Sequence, residues 1–167
     1  MMTAEEKKAR IEKTLFGDSL SADAMERELR LFQEFRNHLI EDLGEEKGAE
    51  VFANFICNRT ERGWRETVEA CIEDVSLKSF VDFFWGPLKQ SLKYEESWDG
   101  DSKVQFKVTH CTVCEACKKA GLIDIGYHVD CMTDPAVIKG INPEIQFERT
   151  HTLMQGDDYC DHCYMCK

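Results

Sequence analysis

The chain lacks a basic excess, a long apolar run, internal repeats and low-complexity stretches. Of its 167 residues, 32 are Asp or Glu and 21 are Lys or Arg, a formal net charge of -11. No basic stripe is available for a phosphate backbone, so nucleic-acid binding is disfavoured as the main role, and the acidity serves solubility. The most apolar window, Phe80 to Trp85, is far shorter than the roughly 20 residues that span a bilayer, and no membrane partner is expected. Met1 to Arg10 is rich in Glu and Lys and lacks the apolar core of a secretory signal, which places the protein in the cytoplasm. An even cysteine count is also missing: nine cysteines in a chain of this kind imply reduced thiols serving as ligands, nucleophiles or packing groups rather than a disulfide framework.

What is present suits a single domain spanning 1–167. Met25, Leu29, Phe32, Leu39 and Leu43 recur at helical spacing from Ser21 to Leu43, with Gly44 as a stop. A second helical stretch carries Val51, Phe52, Phe55 and Ile56 up to Gly63. A third, or a split one, carries Trp64, Val68, Ile72, Val75, Phe80, Phe83 and Phe84, and Pro87 should kink or restart it. The polar segment Glu95 to Asp101 reads as a turn-rich hinge after the mainly helical 1–94. The period then changes to two. Val104, Phe106 and Val108 alternate with polar residues, as do Ile145, Phe147, Arg149, His151 and Leu153, and Tyr159 to Met165 returns as a hairpin strand after a turn at Gln155 to Asp158. Short helices are expected around Glu115 to Ala120 and Asp134 to Lys139. The order predicts an α+β fold, with N-terminal helices packed on one face of a small C-terminal antiparallel sheet.

Two cysteine runs stand out: Cys111, Cys114 and Cys117, then Cys160, Cys163 and Cys166. The spacing resembles parts of zinc or iron-sulfur sites. Strand geometry opposes this, since Cys160 and Cys163 on one strand point to opposite faces; the alternative is that the thiols pack or lie at the surface. Cys57 and Cys71 read as packing residues. The strand alternation also carries charge to the apolar side. Arg149 and His151 share parity with Ile145 and Phe147, and His110 shares parity with Val108. An inward guanidinium needs an anion, either an internal partner such as Asp134 or Asp161 or the carboxylate of a ligand. Thr150 and Thr152, of opposite parity, read as structural.

These residues fall into an ordered set of motifs: Val108-Thr109-His110-Cys111, Gly121-Leu122, Cys131 to Asp134, Gly140 to Pro143, Phe147 to Thr152 and Gly156 to Asp161. From Val104 to Tyr164 the chain thereby resembles the L-2-amino-thiazoline-4-carboxylic acid hydrolase family. The resemblance implies hydrolysis of a cyclic amidine: water adds across its carbon–nitrogen bond, at the carbon between ring sulfur and ring nitrogen, and the ring opens to a carbamoyl-cysteine. On that reading Cys131 or Cys111 attacks, Asp134 or Asp161 holds the amidinium, Arg149 holds the substrate carboxylate, and His151 or His110 carries the proton. Cys160 and Asn142 complete the expected site. Cys114, Cys117, Cys163 and Cys166 lie outside the motif, and His162 stands where an aromatic is common.

Two other classes compete with a hydrolase. The helices-then-sheet order is also similar to the 4-vinyl-reductase-like small-molecule-binding domain, which would make the protein a sensor. The six clustered cysteines would instead make it a zinc or iron-sulfur protein. A homodimer is an open option through the aromatic segment Phe80 to Trp85, whose side chains would otherwise be core.

Overall fold

The computed structural model describes residues 2–17 and 22–166. Its helices come first and its sheet last, as the change of period predicted. The helical part runs α1 (Ala4–Phe16), α2 (Ala22–Leu43), α3 (Glu45–Cys71), α4 (Leu77–Phe80), a π-helical turn at Val81–Trp85 and α5 (Gly86–Leu88). Then come β1 (Leu92–Asp99), β2 (Lys103–Cys111), α6 (Thr112–Ala120), α7 (Ile123–Val129), α8 (Asp134–Ile141), β3 (Gln146–Glu148) and β4 (Cys160–Met165). The strands form one antiparallel sheet of order β1-β2-β4-β3. Among the described residues, no helix is long and apolar enough to cross a membrane.

Four local readings change. The second stretch and the start of the third are one helix, α3, which runs through Gly63 because Trp64 and Thr67 bury the turn beyond it; the third splits after Cys71, its rest falling in α4 and the π-helical turn. α1 was not foreseen, although Thr3 and Glu6 form a capping box, each side chain bonding the other's backbone N–H. The hinge at Glu95 to Asp101 is mostly the edge strand β1, turning at Gly100 into β2. Its side chains are largely exposed, so no apolar alternation marks it, and its charges suit an edge. Finally, the strand expected from Ile145 to Leu153 ends at Glu148, and a 3-10 turn occupies Leu153–Gln155. β3 and β4 pair, but through an irregular connection rather than a tight hairpin. Ser21, the expected start of α2, lies outside the described residues.

One face of the sheet is covered. Val104, Phe106 and Val108 of β2 and Cys160 and Tyr164 of β4 pack against Trp64, Phe80, Phe84, Trp85, Val137, Ile138 and Ile141, while Gln105, Lys107 and Thr109 face outward. Trp85 stacks on Phe106 with ring centroids 3.8 Å apart. The segment proposed as a dimer surface therefore fills the interior: Phe80 is 0% and Trp85 2% exposed. A second core, under α2 and α3, contains Leu29, Phe52, Ile56, Cys114, Cys117, Leu122, Ile125 and Met154.

α8 reaches the site by lying close on α3. A Cβ at Gly140 would sit 2.5 Å from the Glu61 carbonyl oxygen and 2.9 Å from the Trp64 Cβ, so neither neighbour can yield cheaply. Gly140→Ala is expected to cost about 2–3 kcal/mol through overpacking, read in urea denaturation as a lowered midpoint with an unchanged slope.

Candidate functional site

Between α7 and α8 the chain reads Asp130-Cys131-Met132-Thr133-Asp134-Pro135. A 3-10 turn at Cys131–Thr133 is closed by Thr133, whose hydroxyl donates to the Asp130 carbonyl at 2.6 Å. Pro135 then starts α8 with its preset φ, and Asp134 stands in the first turn, where the helix dipole favours an anion. This places the Asp134 carboxylate opposite β4 and the end of β3.

Arg149 follows β3 directly. Its Nη1 donates to Asp134 Oδ2 and its Nη2 to the Cys131 carbonyl at 3.0 Å. The guanidinium lies 5.9 Å from the Phe147 ring centroid. Its side chain is 8% exposed and that of Asp134 20%, so this is a buried ion pair, the internal partner left open by the sequence. Burial works against the charge on Arg149, but Asp134 outweighs it and raises the pKa further.

The loop carrying Arg149 is shaped by side-chain clamps. Asp161 accepts from the backbone N–H groups of Thr150 and His151 at 2.9 and 2.5 Å, and from the Thr150 hydroxyl at 2.6 Å. Burial raises its pKa, yet these bonds together outweigh that and hold the carboxyl well below the usual range. Asp157 accepts from the Thr152 N–H at 2.7 Å, and the Thr152 hydroxyl accepts from Met154 and Gln155 N–H groups. The Phe147 to Thr152 and Gly156 to Asp161 motifs thus brace each other. Asp161 is a loop clamp, and the ligand role expected of it would have to displace those bonds.

Strand parity holds for Arg149 and for His110, which keeps the side of Val108 in β2, but fails for His151. Since β3 ends at Glu148, His151 turns outward: its side chain is 44% exposed, stacks on Tyr159 at 5.0 Å and is held by Asp161. His110 closes an ion pair with Glu115 at 3.2 Å and makes no hydrogen bond or ion pair with Arg149 or Asp134. Asn142 is also structural, donating to the Val75 carbonyl and accepting from the Glu144 N–H at 3.0 and 2.9 Å.

Two groups that sequence reasoning passed over are at the site instead. His162 lies on the covered face of β4 with Nε2 3.5 Å from Asp134 Oδ2, and its buried Nδ1 has no hydrogen-bond partner. Its shared parity with Cys160 and Tyr164 was the available signal. Asp130 is exposed to solvent, and its carboxyl makes no hydrogen bond among the described residues. Burial first, then the charge of Asp134, push it up to about 6, against the opposing pull of Arg149 and His162. Nothing in the sequence marked it. Two carboxyls, Asp130 and Asp134, therefore act on the charge of one guanidinium, which bonds only Asp134.

The thiols gather nearby without forming a metal set. Among the described residues, no three or more His, Cys, Asp or Glu side chains are placed to hold one ion. Cys117 is turned into the second core against Gly126. Cys160 lies on the covered face, where its sulfur accepts from the Leu153 N–H at 3.3 Å. Cys163 lies on the opposite face beside Gln105, and Cys166 packs at the edge of the sheet core. Cys111 caps α6, and Cys114 lies one turn along it. The donors of the second run thus diverge, as strand geometry anticipated for Cys160 and Cys163, whereas Cys111 and Cys114 share the first turn of α6. Burial pushes Cys111 up to about 12 and Cys117 up to about 11, and it raises Cys131 further still, with Asp130 and Asp134 adding. Neither expected nucleophile is a ready thiolate.

A family model described as L-2-amino-thiazoline-4-carboxylic acid hydrolase matches residues 22–164. No curated protein matches the chain. A solved structure, "crystal structure of the phenol-responsive sensory domain of the transcription activator PoxR with Phenol", is similar over 99% of this chain and 91% of that one, at 10% sequence identity and a TM-score of 0.47.

Proposed function

Because the chain belongs to the L-2-amino-thiazoline-4-carboxylic acid hydrolase family, we propose that it opens the ring of 2-amino-thiazoline-4-carboxylate or a related cyclic amidine, with water rather than a cysteine as the nucleophile. The observation that carries this reading is the surplus carboxylate: Asp130, whose carboxyl makes no hydrogen bond among the described residues and is raised to about 6, in the turn that leads to the Arg149–Asp134 pair.

A cationic amidine meets Asp130 as a counter-charge, and a carboxyl poised near neutral pH suits proton transfer. Asp130 accepts a proton from water as the water oxygen bonds to the ring carbon between sulfur and nitrogen. The tetrahedral carbon then forms its C=O as the carbon–sulfur bond breaks: Asp130 passes its proton to the departing sulfur, and the hydroxyl proton of the tetrahedral carbon leaves to solvent, matching the charge the amidinium brought. One water is consumed and one thiol is released. Arg149 spends two of its five N–H donors on Asp134 and Cys131, leaving others for the ligand carboxylate. Cys131 serves through its carbonyl.

The test is incubation with 2-amino-thiazoline-4-carboxylate and chromatographic detection of the carbamoyl-cysteine. Turnover is expected, and Cys131→Ala should keep the rate within about threefold. A folded Cys131→Ala protein with the rate abolished would restore the covalent route. Saturable binding without turnover would favour the sensor, and neither binding nor turnover would end both readings.

A further inference from the structure

The first cysteine run, which ring opening leaves unused, has its own geometry. β2 ends at Cys111, the N-cap of α6, and the Cys111 sulfur accepts a hydrogen bond from the Cys114 N–H at 3.4 Å. Cys111 is half-buried and Cys114 buried one turn behind it. A strand that feeds a C-x-x-C helix in this way, with one thiol at the open end and its partner behind, is a redox-motif arrangement. Cys111 is the extended N-cap, and its sulfur already lies 3.4 Å from the Cys114 backbone nitrogen, over the turn from which the Cys114 side chain springs, so closure asks only for a small adjustment at a helix end. Cys117 does not compete. It is 0% exposed, and a Cβ added at Gly126 would lie 2.6 Å from its sulfur, so it serves the packing of α6 on α7.

We propose that Cys111 and Cys114 form a redox-active dithiol that closes to a disulfide by exchange with a small-molecule disulfide. The Cys111 thiolate attacks one sulfur of the oxidant and expels a thiolate, giving a mixed disulfide. The Cys114 sulfur then attacks Cys111 and expels the second. One S–S bond breaks in the oxidant and one forms in the protein, and both protein thiol protons end on the two released thiols. Desolvation makes the Cys111 thiolate scarce, so closure is slow, which a resting-state switch tolerates and a turnover step would not. The same desolvation withholds the thiolate stabilisation that makes strongly oxidising C-x-x-C pairs easy to reduce, so the closed form is durable. Closure also removes the free sulfur that caps α6.

The reduced, full-length protein is equilibrated without oxygen in glutathione buffers of graded oxidised-to-reduced ratio at pH 8.5, alkylated with N-ethylmaleimide and mapped by mass spectrometry. The expected oxidised product is the peptide Val108–Lys118 carrying one disulfide, with Cys117 alone alkylated, appearing in a single two-electron transition. Cys114→Ala should instead hold one glutathione on Cys111, and Cys117→Ala should titrate like the wild type. Alkylation of all nine cysteines in the most oxidising buffer would overturn the proposal. So would a disulfide through any other pair, or glutathionylated Cys111 that Cys114 never resolves. None of these readouts depends on ring-opening activity.

Discussion

Asp134→Ala is expected to lower the unfolding free energy by about 3–5 kcal/mol, the range for removing one partner of a buried ion pair. For a chain of this length that is a fall in Tm of roughly 10 °C or more. The physical cause is what remains: an 8% exposed guanidinium still bonded to the Cys131 carbonyl but without its anion, and His162 without its nearest carboxylate. Arg149→Met should cost a similar amount, because it strands Asp134 beside Asp130. The double variant Asp134→Leu/Arg149→Met removes both charges at nearly conserved volume, and should recover most of the lost stability while remaining inactive. That non-additivity separates a buried pair from a surface one, for which each single change costs under about 1 kcal/mol. Additive costs in guanidinium denaturation, or single costs at the surface level, would show that the pair is solvent-screened rather than buried.

How much of this could be read from the sequence depended on whether apolar periodicity recorded the relevant force. α2 and β2 each bury one face against a core, so their periods were visible. β1 buries little and is held by its pairing with β2, which leaves no mark in side-chain polarity. Gly63 read as a stop because a glycine lowers helix propensity by about 1 kcal/mol, yet burial of Trp64 and Thr67 just past it exceeds that. At the site, the inward parity of Arg149 called for an anion, and Asp134 was one of the two internal partners it left open. The outward turn of His151 was not legible, because Asp161 ends the strand by capturing two backbone N–H groups. Side-chain capture of backbone is not periodic. Asp130 was invisible for another reason: its character comes from Asp134 and from the protein folded around it, and neither is a property of neighbours in sequence.

That origin gives Asp130 the second large effect, and one of opposite sign on stability and on activity. The carboxyl is raised to about 6 in the folded protein, against about 3.9 in an unfolded chain. Between these values the folded state binds more protons than the unfolded one, so stability falls as pH rises from about 4 to about 6 and the penalty is complete above that. Asp130→Asn removes the charge that folding disfavours. At pH 8 the variant should therefore melt above the wild type, by about 2–4 °C if solvent screening reduces the penalty to about 1 kcal/mol. The two should converge below about pH 4, where the wild-type carboxyl is protonated in both states. Ring opening should move the other way, losing about 10²- to 10⁴-fold in kcat/KM, the range for a general acid–base group. The wild-type rate should rise through a limb near pH 6 that the residual activity of the variant lacks. A variant less stable than the wild type at pH 8 would make Asp130 a structural residue and remove the proton carrier from the mechanism. A group that costs stability at working pH is maintained for what it does, because packing alone would favour the amide.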